Sequence, residues 1–227
     1  MSHYDPNGYM QYKGIRDYYE QLTQNPPENV VDNLWSNILR DYFMNREGFL
    51  LLMVQAPHVP GVSKKSTGVA IRYIKNERTE PKPLILIKNK RASEETKDVS
   101  WRDAVAELTD DMILSRRNLV PTGQASETMF GIVTVGRYSR FYIMEPYQDT
   151  LMDHPSTKGA LLEFQTHELD IVALLLSMKA VALRPSSSSS SDAGDARPVS
   201  RDSNTTSRPA SRGSTTVSLP ASSGTSL

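Results

Sequence analysis

The sequence predicts an α/β domain, a mixed sheet flanked by helices, followed by a disordered tail. Three observations carry this. Apolar residues recur at helical spacing around 29–45, 101–117 and 168–183. Around these stretches lie short runs of Val, Ile, Leu, Phe and Tyr bounded by Gly, Pro and charged residues, which read as strands. Past Pro185 the composition turns to Ser, Thr, Pro, Arg, Asp, Ala and Gly, with an unbroken serine run from Ser186 to Ser191. Such a segment buries too little apolar surface to offset the entropy of ordering. The expected organisation is a partly ordered N-terminal extension (1–28), a folded domain (29–184) and a Ser-rich tail (185–227).

Residues 1–13 are polar and Tyr-rich. Residues 14–24, GIRDYYEQLTQ, suit a short helix that Asn25-Pro26-Pro27 breaks. From Asn29 to about Asn45, Val30, Leu34, Ile38, Leu39 and Tyr42 recur at helical spacing, with Trp35 and Phe43 beside them, until Gly48. Phe49 to Val54 reads as a strand, and Pro57, Pro60 and Gly61 mark a loop. Gly68 to Ile74 alternates Val69, Ile71 and Tyr73 as a second strand, and Lys75 to Lys82 is a charged turn. Leu84 to Asn89 is a third strand, apolar enough to lie centrally in a sheet. Ser100 is read as the N-cap of a helix, with Asp103 in a first turn that favours an acid. Trp101, Val105, Leu108 and Met112 share one face of that helix to about Arg117, and Asn118 and Pro121 stop it. Met129 to Val135 and Tyr138 to Met144 form a hairpin about Gly136-Arg137. Leu161 to Gln165 reads as a short strand and Glu168 to Leu183 as an apolar helix. The order is α-β-β-β-α-β-β-(β)-α, and no internal repeat interrupts it.

Charge and composition narrow the functions. Lys+Arg and Asp+Glu both number 26. Four arginines and three aspartates follow Arg184, which leaves 22 basic against 23 acidic residues, net −1, in 1–184. A duplex-DNA binder usually shows a basic excess, so only a local patch is available here. With no cysteine, thiol catalysis, disulfides and Cys-ligated zinc are excluded. The start, MSHYDPNGYMQYKG, lacks the apolar core of a signal peptide, and no run of about 18 apolar residues suggests a membrane span. The expectation is an intracellular protein, cytoplasmic or nuclear, and neither secreted nor membrane-bound. His3, His58, His154 and His167 are scattered without metal spacing. No G-x-S-x-G elbow or Gly-rich phosphate loop occurs. Trp35 and Trp101 read as core anchors. In the tail, Arg197-x-x-Ser200 and Arg208-x-x-Ser211 match basophilic kinase sites, as Ser/Arg-rich segments do by chance.

The informative stretch is PLILIKNKR, residues 83–91, an apolar run that ends in Lys88, Asn89, Lys90 and Arg91. A Trp-led helix follows about ten residues on, and then GIVTVGRYSRFY. Over roughly 30–180 this pattern resembles the restriction-endonuclease-like superfamily, the PD-(D/E)xK nucleases, and in particular fungal proteins that carry such a domain. The resemblance implies a restriction-endonuclease-like sandwich and Mg²⁺-dependent phosphodiester hydrolysis. In that chemistry an Asp from the second strand and a Glu two residues before a Lys on the third bind the metal, often with help from a Glu on the first helix.

Carried over by position, Lys90 matches the family lysine as a remnant of the motif. Lys88 stands where the Glu belongs and Gly68, or a close neighbour, where the Asp belongs, and no acid occurs between Phe49 and Ile74. The first helix offers Asp32 and Asp41, but no Glu between Glu28 and Glu47. Two lysines together repel a divalent cation, so the usual metal site is read as lost and no cofactor is expected. Some relatives place the acid on the helix after the Lys strand. Here Asp103, Glu107 and Asp111 lie at i, i+4 and i+8, with Asp110 beside them. They are either a displaced carboxylate cluster near Lys90, with Mg²⁺ as cofactor, or the solvated side of an amphipathic helix. Their spacing largely opposite Trp101, Val105, Leu108 and Met112 favours the second.

Lys88, Lys90 and Arg91, helped by Arg116, Arg117, Arg137 and Arg140, are candidate phosphate-backbone contacts; the plainer reading is a solvated strand end. The expected function is a catalytically degenerate nuclease-like domain acting as a binding module for nucleic acid or protein. The alternatives are an active Mg²⁺-dependent nuclease using Lys90 with Asp103, Glu107 or Asp111, and a protein-interaction or structural domain with no nucleic-acid role.

Overall fold

A computed structural model describes residues 8–24, 26–55, 67–74, 81–119 and 127–184. Its elements are α1 (Lys13–Leu22), α2 (Asn29–Tyr42), β1 (Phe49–Gln55), β2 (Thr67–Tyr73), β3 (Lys82–Lys90), α3 (Asp98–Leu119), β4 (Met129–Val135), β5 (Tyr138–Met144), β6 (Met152–Asp153), β7 (Leu162–Glu163) and α4 (Glu168–Leu183). The strands form one mixed open sheet in the order β1-β2-β3-β4-β5-β6, with β7 also on β5. β1, β2 and β3 make an antiparallel meander, β4 joins β3 in parallel, and β5 returns antiparallel to β4. The parallel step needs a crossover, and α3 supplies it.

β3 is the axis of the molecule. Leu84 through Asn89 are all buried, as expected of a strand covered on both faces. The β2–β3 ladder slips between Ile71, opposite Ile85, and Arg72, opposite Pro83, so Leu84 is an extra residue. Proline has no N–H for the ladder, and a bulge beside it absorbs the mismatch.

From Ile85 onward the side chains alternate. Ile85 and Ile87 join Trp35, Leu34 and Ile38 of α2, Ile132, Phe141, and Ile171, Leu175 and Met178 of α4 in the larger core. Trp35 anchors it: its ring meets Phe164 edge-on at 5.2 Å, and its indole N–H donates to Thr134 Oγ1 at 2.7 Å. On the opposite face Leu86 joins Trp101, Ala104, Leu108 and Met112 of α3, with Val133, Val135, Tyr142 and Met144. Here α3 lies close to β4: a Cβ on Gly131 would stand 2.8 Å from Leu108 Cδ2.

The extension before residue 29 contributes to the larger core through Tyr9, Ile15 and Leu22, with α1 against α2. Asn29–Tyr42 ends earlier than the periodicity suggests, at Phe43, whose N–H caps onto the Leu39 carbonyl. Ser100 is not an N-cap. α3 starts at Asp98, and the Ser100 N–H already bonds the Lys97 carbonyl at 3.0 Å. Asp98 therefore takes the favourable first-turn position instead. Of Leu161–Gln165 only Leu162–Glu163 pairs as strand. All described residues fall in one compact unit, Met1–Pro185. The Ser-rich tail, 185–227, lies outside the described residues. Among those residues no helix is long and apolar enough to cross a membrane.

Candidate functional site at the end of strand β3

Alternation along β3 divides its polar end between two helices. Lys88 and Lys90 continue the Leu86 face, toward α3; Asn89 continues the Ile85–Ile87 face, toward α2. Each meets a carboxylate or its partner there. Lys88 Nζ lies 2.6 Å from Asp111 Oδ2, with the lysine side chain only 7% exposed. Lys90 Nζ lies 2.9 Å from Glu107 Oε1, also largely buried. The two acids one helical turn apart thus match two lysines two strand residues apart. The basic end is therefore not a solvated strand end.

Glu107 and Asp111 are likewise not on the solvated side of α3. At about 100° per residue, Asp111 lies about 60° and Glu107 about 100° around the helix from buried Leu108. Both stand at the border of the apolar face, where a side chain can reach down to the sheet edge. Asp103, about 140° from Leu108, is exposed and takes no part in either pair.

On the α2 side, Asn89 Nδ2 donates to Asp32 Oδ1 at 2.6 Å, and both residues are 1% exposed. Asn89 Oδ1 is buried and accepts no hydrogen bond among the described residues. Glu28 stands just before α2 and senses the same cluster. Burial raises its carboxyl above the usual range; Lys90 pulls it down, Asp32 and Glu107 push it up, and Arg91 pulls it down less. Sequence reasoning had not joined Asn89 to Asp32. The signal was there, since Glu28, Asp32, Trp35 and Leu39 recur at i, i+4, i+7 and i+11, and period-2 alternation aims Asn89 at that face.

The remaining cations have separate assignments. Arg91 is exposed just past the strand. Arg116 is buried and donates to the carbonyls of Gln148, Met144 and Glu127. Arg117 pairs with Asp149 at 3.1 Å on the surface, and Arg137 with Glu95 at 3.2 Å. Arg140 lies over the Trp101 ring.

The Mg²⁺ that the resemblance implies meets an ill-suited donor set. The two carboxylates that α3 brings to β3 already face an ammonium group, Asp32 from α2 accepts from the Asn89 amide, and the lysine cations oppose a further positive charge. Opposite Lys88 stands Gly68, where a Cβ would be 2.6 Å from the Ile87 carbonyl oxygen, so the backbone leaves no room for an acid there. Among the described residues no group of three His, Asp or Glu is placed to hold a metal ion. Comparison with protein-family models, curated proteins and solved structures returned no significant match for this chain.

Proposed function

We propose that the chain is a restriction-endonuclease-like domain that has lost catalysis and acts as a binding module. The order of helix, antiparallel meander, helix and parallel strand, with Lys90 ending the meander, supports the ancestry. One observation carries the loss of catalysis: Lys88 and Lys90 sit on Asp111 and Glu107 as ion pairs. An ammonium shared with a carboxylate and held by it is drawn away from water and phosphate. The cluster then ties β3 to α3, as a buried pair can when both partners are present. Arg91 remains as the exposed cation at the strand end.

The test has two arms on the full chain. Incubation with single- and double-stranded DNA and RNA in Mg²⁺ or Mn²⁺ is expected to give no cleavage beyond a Lys90→Ala control. Metal-dependent cleavage that vanishes in Lys90→Ala would overturn the reading in favour of a nuclease with displaced carboxylates, for which the approach of Glu107 to Lys90 is the supporting observation. Binding to the same nucleic acids is then measured against salt. Affinity that falls steeply with salt and drops in Arg91→Gln identifies nucleic acid as the partner; absence of binding leaves protein interaction. Lys88 is a poor probe here, because its burial makes any substitution report stability first.

A further inference from the structure

The opposite flank of α3 borders a second site. Arg102, Val105 and Ala106 lie away from Glu107 and Asp111, and with Trp101, Arg140 and Tyr142 they line an open cleft of about 810 Å³. That size lies within the range of pockets that hold small organic ligands.

Arg140 is the unusual group in it. The guanidinium carbon lies 5.2 Å from the Trp101 ring centroid. The indole is itself fixed, its N–H donating to the Glu95 carbonyl at 3.0 Å. Arg140 Nε is buried and has no hydrogen-bond partner among the described residues. Nor does Arg140 join any of the ion pairs among them. Arg116 is engaged by carbonyls, Arg117 by Asp149 and Arg137 by Glu95, while Arg102 stands exposed on the rim of the cleft. Tyr142 engages the same group: burial raises its hydroxyl, and the charge of Arg140 and a side-chain hydrogen bond with it pull the hydroxyl back.

The acids do not neutralise this cation. Glu95 accepts from the Arg137 backbone N–H at 2.8 Å and from its guanidinium. Asp98 sits in the first turn of α3, where the helix dipole favours its charge, and forms no ion pair with Arg140. Asp153 lies across from Tyr142 in the β5–β6 register and forms no ion pair with Arg140. A planar guanidinium held on an indole face by Trp101 and bonded on one side to Tyr142 still has Nε without a partner, and its fixed plane suits it to read a carboxylate or phosphate.

We propose that this cleft binds an organic anion, with Arg140 taking its carboxylate or phosphate and the wall of Val105, Ala106 and Leu161 taking its apolar body. The site is independent of the nuclease-like ancestry proposed above. It is tested by following the Arg140 Nε–Hε resonance of the full chain during titration with phenyl phosphate, benzoate and neutral benzyl alcohol. A saturable shift is expected with at least one anion and none with the alcohol; the tighter anion identifies the head group as phosphate or carboxylate. Arg140→Gln, followed through the Trp101 indole N–H resonance at the same cleft, is expected to weaken binding roughly tenfold or more. Ala106→Trp crowds the cleft from an exposed helix position and is expected to weaken binding, which keeps the test decisive should the first variant fail to fold. Absence of a saturable shift with either anion, an equal shift with the alcohol, or undiminished binding in Ala106→Trp would overturn the proposal.

Discussion

The stretch that ends β3 shows how far single residues can be read. That Lys88 and Lys90 share a face follows from strand alternation alone, and that Glu107 and Asp111 share a flank follows from helical spacing. Which flank meets which strand end depends on the rotation of α3 over the sheet. Leu108 and Gly131 set that rotation, and their contact joins residues far apart in sequence. The pairing of Lys88 with Asp111 therefore became visible only in three dimensions. It has a measurable consequence. Asp111→Asn leaves a buried ammonium without its counter-charge, a change that costs 3–5 kcal/mol in a dry site and less where the carboxylate is partly wet. Asp111 is about one-third exposed, so a loss of about 2 kcal/mol in urea unfolding is expected. The double variant Lys88→Met/Asp111→Leu should recover most of it, since apolar replacement of a buried pair is often neutral. A single variant that unfolds like the parent would show that the pair contributes nothing.

At the scale of elements, α1 was legible as a helix, but its attachment was not. The partners of α1 and of the segment before it are 144 and 155 residues away: the Tyr19 hydroxyl donates to Glu163 Oε1 at 2.5 Å, and the Tyr9 hydroxyl, ahead of the helix, to the Phe164 carbonyl at 2.7 Å. The other oxygen of Glu163 accepts the N–H groups of Gln165 and Thr166 at 3.0 and 2.7 Å. Burial pushes the Glu163 carboxyl up, but the bonds from Tyr19, Thr166 and Gln165 outweigh it and hold the group below its usual range. Tyr19 is pushed up to about 12, by burial first and then by Glu163, so it remains a donor at any ordinary pH. A carboxylate with a depressed folded pKa stabilises the fold fully above its unfolded value, about 4.3, and loses that contribution as pH falls through the folded value. Hydrogen exchange between about pH 6 and about pH 3 should therefore show α1 losing protection before the central strands, after correction for intrinsic rates. Glu163→Gln should loosen α1 already at neutral pH and remove most of the pH dependence. Equal protection of α1 across that range in the parent would refute the role assigned to Glu163.

For the whole molecule, the order of elements was the most legible feature, because each strand and helix carries its own period. The layering was less so, since β3 and β4 are buried on both faces and their apolar runs do not say which residue meets which helix. The outcome is one sheet with two cores, α1, α2 and α4 over one face and α3 over the other. The chain has two tryptophans, and one lies in each core: Trp35 in the larger, Trp101 in the smaller. If the shared strands couple the layers, the two indoles must report one transition. Single-tryptophan variants Trp35→Phe and Trp101→Phe should each give fluorescence unfolding curves that coincide with their own far-ultraviolet circular dichroism. Leu108→Ala sharpens the test. Leu108 is fully buried above Gly131, which has no side chain to fill the void, so a loss of about 2–5 kcal/mol is expected. That loss should appear undiminished in the Trp35 signal, on the far side of the sheet. A shift confined to Trp101 would mean that α3 unfolds by itself and that β3 and β4 do not bind the layers into one cooperative unit.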